Sequence, residues 1–164
     1  MKFSLGAIIL AGVLILAGCA PKTYTYNGPE VTRIIVAKES RKMYLMHHDT
    51  PLRVFDIDLG FQPRGHKERE GDGRTPVGHY YIDRRNPESA YHLSLGISYP
   101  SPEDMARAQS MGVSPGGDIF IHGEPNGKRV RSRDWTAGCI AVSNKEMRDI
   151  YAMVRTGTPI TILD

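Results

Sequence analysis

The chain has 164 residues, with 21 Lys and Arg against 18 Asp and Glu and a formal net charge of +3. That length is enough for one domain with a real core. So small a positive charge suits an anionic cell-wall or membrane setting and does not mark a nucleic-acid binder. The composition is that of an ordinary globular domain, without repeats or low-complexity tracts.

The first residues, MKFSLGAIILAGVLILAGCA, carry one cation, Lys2, and then an apolar run from Leu5 to Leu16 broken only by Gly6 and Gly12. The run is short for a bilayer span, which takes about 20 apolar residues. With small residues at its end it reads as a secretory signal peptide over residues 1–18. LAGC (16–19) resembles the bacterial lipoprotein box. The resemblance implies that the Cys19 sulfur carries a diacylglycerol and that Cys19 is the first mature residue, held at a membrane by two or more acyl chains. The other reading is an ordinary signal peptide with a chance cysteine. Ala20 follows the cysteine where an aspartate would signal otherwise, which in Gram-negative lipoproteins favours the outer over the inner membrane. The expected location is the cell envelope, facing the periplasm. APKTYTYNGPE (20–30) lacks any periodicity, so residues 19–30 read as a lipidated N-terminus and tether, and 31–164 as the folded domain.

Strand signals dominate that domain. TRIIVAK (32–38) is a β-branched run, and KMYLMH (42–47) follows it after ESR, a hairpin turn. LRVFDIDLG (52–60) alternates, with Leu52, Val54 and Asp56 on one face and Arg53, Phe55 and Ile57 on the other. VGHYYIDR (77–84), YHLSLGISY (91–99), GDIFIHG (117–123) and TPITIL (158–163) complete the strands. Two helices are expected. In SPEDMARAQSMG, Ser101 is the N-cap, Pro102 takes the first helical position and Gly112 stops the helix. In SNKEMRDIYAMVRTG, Ser143 and Glu146 form a capping box, Met147, Ile150, Tyr151 and Val154 make an apolar stripe, and Gly157 closes the helix. The predicted fold is mainly β, an antiparallel β-sandwich with two helical insertions. Three loops, 61–76, 112–118 and 123–138, stand outside this plan, and long loops in compact domains often carry function.

The third loop runs from His122 to Cys139. With Cys19 lipidated, Cys139 has no disulfide partner in the chain. It is either a buried small hydrophobe or a reactive thiol in an oxidising compartment. The thiolate is the nucleophile, and a free thiol has a pKa of about 8.5. A neighbouring imidazole can take the thiol proton and later protonate a leaving amine, so His122 and Cys139 are the minimal apparatus for acyl transfer from an amide. Gly138 lets backbone N–H groups, its own and that of Cys139, approach a substrate as an oxyanion hole.

IHG (121–123) followed by TAGCIAV (136–142) resembles the signature of the YkuD-type L,D-transpeptidase catalytic domain: His-Gly, a gap, then Ser/Thr-His-Gly-Cys-hydrophobic-Arg/Asn. EGDGRTPVGHYYI (70–82) resembles the Thr-Pro-x-Gly strand of that family. LSLGISYPSPEDMARA (93–108) and GVSPGGDIFIHG (112–123) look like its compact Gram-negative, murein-acting subgroup. The resemblance implies an L,D-transpeptidase-like sandwich with Cys139 as nucleophile and His122 as general acid and base. Thr136 takes the Ser/Thr place, and Gly138 and Gly123 take the two glycine places. Ala137 and Ala141 depart from the pattern, where many members have a second histidine and an Arg or Asn. The implied substrate is a peptidoglycan stem peptide, attacked at the L-centre of its third residue, typically diaminopimelate, to give a thioester. A second stem, a lipoprotein lysine or water would accept the acyl group, so transpeptidation, hydrolysis and release of a peptidoglycan-attached lipoprotein all remain open. So does a catalytically silent peptidoglycan-binding role. No cofactor or metal is implied.

The other histidines, His47, His48, His66, His79 and His92, show no tight ligand spacing and read as surface or sheet-edge residues. RGHKEREGDGR (64–74) is either a solvated loop or a carboxylate-binding one, with Arg64, Lys67 and Arg74 as candidates. Trp135 is either a stacking or lid residue of the cleft or simple packing.

Overall fold

A computed structural model describes residues 24–128, 130 and 132–164. The expected signal peptide and the Cys19 lipidation site lie outside the described residues. Tyr24 and Tyr26, in the expected tether, pack against the core.

Eight strands form one sheet in the order β3-β2-β1-β8-β4-β5-β6-β7. They are β1 (Arg33–Ala37), β2 (Lys42–His47), β3 (Thr50–Asp56), β4 (Gly78–Asn86), β5 (Ser94–Ile97), β6 (Phe120–His122), β7 (Ile140–Ala141) and β8 (Pro159–Leu163). The expected mainly β architecture with two helices is present. The sheet is mixed rather than wholly antiparallel, because β1 pairs with β8, and β6 with β7, in parallel. Parallel neighbours need a crossover of a dozen or more residues. The long 123–138 loop supplies one for β6 and β7, with no helix among its described residues.

The sheet curls. The first half of β4 pairs with β8 and the second half with β5, and a bulge between Ile82 and Arg84 turns the strand from one partner to the other. The chain leaving β3 then reaches the far edge. Asp58 and Ala141 exchange both backbone hydrogen bonds, at 2.9 and 2.8 Å, and Gly60 bridges Thr136. Inside the curl lies a continuous apolar core that includes Ile34, Leu45, Leu59, Ile82, Leu95, Ile121, Ile140 and Ile150. The β3 alternation holds at its C-terminal end, with Phe55 and Ile57 buried and Val54 exposed.

Helix α1 (Pro102–Ser110) starts with Ser101 as N-cap and Pro102 in its first turn, as expected. Helix α2 (Asn144–Met153) has the predicted capping box and packs against β5 and β6 through Met147, Ile150 and Met153. Gly157 does not close it. The helix ends at Met153, where buried Val154 turns extended, and Gly157 sits in the turn before β8 at φ 90°. The reason is tertiary. Arg85 of β4 stacks its guanidinium 3.9 Å from the centre of the Tyr151 ring and donates to the carbonyls of Tyr151 and Val154. It thus supplies the cation and the donors that the helix C-terminus lacks.

Because only Val142 separates Ser143 from β7, α2 also sets the strand behind the 136–142 segment. Met147→Ala is expected to cost about 2–5 kcal/mol of unfolding free energy, and Ser143→Ala about 1 kcal/mol. Urea denaturation of the two variants measures both.

Candidate active site

The β6–β7 register decides the site. Ile121 pairs with Ile140 and His122 with Ala141, in parallel. Both isoleucines are fully buried in the core. Side chains alternate across a strand, so Phe120 and His122 leave β6 on the opposite face. Cys139, one residue before Ile140, lies opposite Phe120 on that same face. There His122, Cys139, Trp135, Tyr91, Phe120 and Ser94 line a cavity of about 520 Å³.

His122 is 5% exposed. Its Nδ1 lies 2.7 Å from the Gly123 carbonyl oxygen. A carbonyl only accepts, so Nδ1 carries the proton and Nε2 is left as the basic nitrogen. The ring is packed between Tyr91, at 4.6 Å between centroids, and the edge of Trp135, at 5.6 Å. Burial lowers its pKa, and the Gly123 hydrogen bond recovers part of that shift.

Cys139 is partly exposed, with Sγ 3.5 Å from the Asp118 carbonyl. Burial pushes its thiol pKa up, the Phe120 N–H pulls it down, the Asp118 charge raises it and Lys67 lowers it, for a net rise. The free site therefore rests as a thiol donating to Asp118 beside a neutral imidazole. An imidazolium–thiolate pair is disfavoured until a reaction draws the proton across.

The turn before Cys139 is held from several sides. Thr136 is buried, donates from Oγ1 to the Cys139 carbonyl at 2.7 Å and accepts from the Gly138 N–H at 3.2 Å. Gly138 is at φ 137°, and a Cβ there would lie 2.7 Å from the Arg74 carbonyl oxygen. A Cβ on Gly60 would lie 2.9 Å from the Gly138 Cα. Only glycine fits either place. At the head of the turn, Asp134 pairs with Arg41 at 2.8 Å and accepts from the Leu59 N–H at 3.0 Å. Burial alone would raise the Asp134 pKa, but the Arg41 and Leu59 hydrogen bonds outweigh it and hold it low.

The family model described as the L,D-transpeptidase catalytic domain, YkuD, matches residues 31–162. The chain belongs to the L,D-transpeptidase catalytic domain family. Among curated proteins it is similar to Escherichia coli "Putative L,D-transpeptidase YafK", at 28% identity over 92 residues, 55% of this chain and 32% of that protein. Among solved structures it is similar to Pgp2, the helical cell shape determining protein of Campylobacter jejuni. The TM-score is 0.63 and the identity 25%, over 88% of this chain and 51% of that one. A mutant of the Enterococcus faecium L,D-transpeptidase shares the fold, with a TM-score of 0.54 at 17% identity over 82% of this chain and 50% of that one. The chain thus spans about a third of YafK and half of each of these two structures.

Of the residues singled out by the L,D-transpeptidase motif, His122, Thr136 and Cys139 line one cavity, and Gly138 bonds Thr136 in the turn before Cys139. Gly123 contributes its carbonyl to His122 rather than a surface, and a Cβ on it would lie 2.4 Å from Asn144 Oδ1. Ala137 is an exposed part of the cavity wall. Ala141 is buried and lines a second cavity of about 380 Å³, which shares Trp135 with the first.

The three cations proposed from the 64–74 loop do not line the Cys139 cavity. Lys67 is buried, with Nζ 2.8 Å from Asp72 and 3.0 Å from the Arg69 carbonyl. Burial raises the Asp72 carboxyl, but Lys67 and the N–H groups of Glu68, Arg74 and Arg69 overcome this and hold its pKa at about 2. This pairing folds the loop that presents the Arg74 carbonyl to Gly138. Arg74 reaches Glu68 and the His66 carbonyl, and Arg64 lines a separate polar cavity with Arg41 and Arg133. Residues that sequence reading missed are Tyr91, Ser94, Asp118, Phe120 and, behind them, Arg84. Phe120 was findable, because it stands two residues before His122 on one strand and so shares its face. Among the described residues, no group of three His, Cys, Asp or Glu side chains is placed to hold a metal.

Two outcomes follow from this geometry. Alkylation of Cys139 by iodoacetamide is expected to accelerate with pH beyond the ordinary thiol range, because the raised pKa leaves little thiolate at neutrality. A rate already level below pH 7 would contradict the neutral resting pair. Asp134→Ala, which strands Arg41, is expected to destabilise the protein by about 1–3 kcal/mol and to slow alkylation or acylation. Asp134→Asn keeps an acceptor for Leu59 and a residue that tolerates φ 49°. It should lose less, in thermal melts and in the labelling rate.

Proposed function

We propose that this protein is a cysteine acyltransferase of the cell wall, an L,D-transpeptidase acting on peptidoglycan stem peptides. The observation that carries the reading is the β6–β7 register, which puts His122 and Cys139 on one face with Nε2 of His122 as the basic nitrogen. Membership of the L,D-transpeptidase catalytic domain family supports it, as does the cell-shape role in the name of Pgp2.

In this mechanism a stem peptide lies in the cavity against Trp135, Tyr91 and Phe120. Sγ of Cys139 attacks the carbonyl at the L-centre of the third residue while His122 Nε2 takes the thiol proton. The oxyanion is met by backbone N–H groups of the 138–139 turn. At rest the Gly138 N–H is bonded to Thr136 Oγ1, so its share in the hole requires that bond to give way. Collapse breaks the C–N bond, and His122 returns the proton to the departing amine, leaving a thioester. An amine from a second stem then attacks the thioester and His122 accepts its proton; the C–S bond breaks, His122 returns the proton to Cys139 Sγ, and a cross-link between two third residues results. No metal or cofactor takes part. The N-terminus is proposed to hold this site at the envelope, through a lipid on Cys19 after removal of residues 1–18.

Incubation with a carbapenem followed by intact-mass measurement tests the nucleophile. The expected result is one adduct on the wild type and none on Cys139→Ala, with His122→Gln slowing its formation about 10²–10⁴-fold. An equal adduct on Cys139→Ala would end the assignment. Digestion of purified sacculi, read by mass spectrometry, identifies the acceptor. Cross-linked stem dimers are expected, whereas shortened stems or freed lipoprotein peptides would make water the acceptor.

A further inference from the structure

The cavity described above carries a mismatch with the ligand proposed for it. Stem peptides are polyanions. Among the described residues lining the Cys139 cavity the one charged side chain is acidic, Asp118, and no Lys or Arg lines it. Arg84 reaches the wall of this cavity, where it contacts Asp118 and the Phe120 ring.

Arg84 is aimed there by three features. The bulge between Ile82 and Arg84 breaks the alternation of β4, so that Asp83 and Arg84 both lie over β5. Across the sheet Arg84 pairs with Gly96, Gly96 with Phe120, and the next position on β7's side of Phe120 is Cys139. Gly96 leaves the lane open. A Cβ there would lie 2.3 Å from Asp83 Oδ1, 2.6 Å from Arg84 Cγ and 3.1 Å from Arg84 Cζ. With no side chain in the way, the arginine crosses its neighbour strand and lays its guanidinium over the Phe120 ring, 4.5 Å from the centroid. From there it donates to Asp118 at 2.9 Å and to Asp83 at 2.8 Å.

We propose that Arg84 is the carboxylate-binding residue of the acyl-donor site, exchanging Asp118 for a carboxylate of the stem peptide. The inference rests on the stem-peptide reading above. The Asp118 side chain is 87% exposed and Arg84's 45%, so the pair is open to competition from a ligand anion. The ring contact keeps the guanidinium in place while its partner changes. Five donors on a planar fork let it hold Asp83 and receive an incoming carboxylate together.

The test uses the wild type, Arg84→Gln and Arg84→Lys with synthetic tetrapeptide stems. One stem is unmodified, one is amidated at its C-terminus and one at the side-chain carboxylate of the third residue. Arg84→Gln is expected to raise KM about ten-fold with kcat within about two-fold. Amidating the recognised carboxylate should cost the wild type a similar factor and cost Arg84→Gln nothing further. Arg84→Lys should recover part of the loss. The two amidated stems tell which carboxylate is held. If each amidation costs wild type and Arg84→Gln equally, the assignment is overturned and the pair is a surface contact only. Calorimetric binding of the same stems to Cys139→Ala, with and without Arg84→Gln, separates this inference from the catalytic one. Carboxylate-dependent binding through Arg84 without wild-type turnover would leave the inference standing and remove acyl transfer. Turnover without Arg84 dependence would do the reverse, and neither turnover nor binding would remove both.

Discussion

Ile121 and Ile140 lie side by side in parallel strands, both fully buried, and this contact governs everything on the other side of the sheet. A strand alternates its faces with a period of two. Burying those two residues therefore forces Phe120, His122 and Cys139 out toward the cavity. A slip of one residue in β7 would send the thiol into the core and an isoleucine into the site. The pairing covers only two residues of β7, which is too little to hold a register by itself. Its precision comes from the partner on the other side, Asp58, whose two backbone bonds to Ala141 clamp β7 between β6 and the chain leaving β3.

The nucleophile turn is thus assembled from distant parts of the chain. Arg41 comes from the first hairpin, Leu59 and Gly60 from the segment after β3, and the Arg74 carbonyl from a loop folded around the Lys67–Asp72 pair. Thr136 joins the turn to itself by bonding both Gly138 and Cys139. None of these groups has to touch a substrate. They act by fixing where Cys139 stands, and a glycine at both 60 and 138 is what lets two backbones come close enough to do so.

The electrostatics of the site match its packing. Tyr91 and Trp135 exclude water from His122, and burial lowers the imidazole while raising the thiol. Keeping both groups neutral at rest limits the exposure of a thiolate to oxidation. In the proposed mechanism, charge separation develops only when a substrate carbonyl is in place. Among the described residues lining the cavity, Asp118 is the charged one, and Arg84 is drawn across Gly96 to meet it.

Much of this was legible in the linear chain. The β-branched runs, the two N-caps and the Gly-Cys pair follow local rules, since capping and side-chain alternation depend on residues only a few positions apart. His122 and Cys139 could be singled out as candidates because their motif is short. The sequence misplaced the end of α2, because Arg85 from another strand caps that helix. It also offered, beside a plain solvated loop, three candidate substrate ligands that the fold uses elsewhere: Lys67 to staple its own loop, Arg74 to tie that loop to itself and Arg64 to line another cavity. Conversely, Arg84 looked like an ordinary strand residue. Its direction depends on a bulge, on a glycine twelve residues later and on a ring thirty-six residues later. What the sequence by itself determined is which residues can do the chemistry, because that resides in side-chain types and local spacing. Which of the charged residues face it was decided only by the tertiary structure, because strand register and the curl of the sheet are set by contacts between segments far apart in the chain.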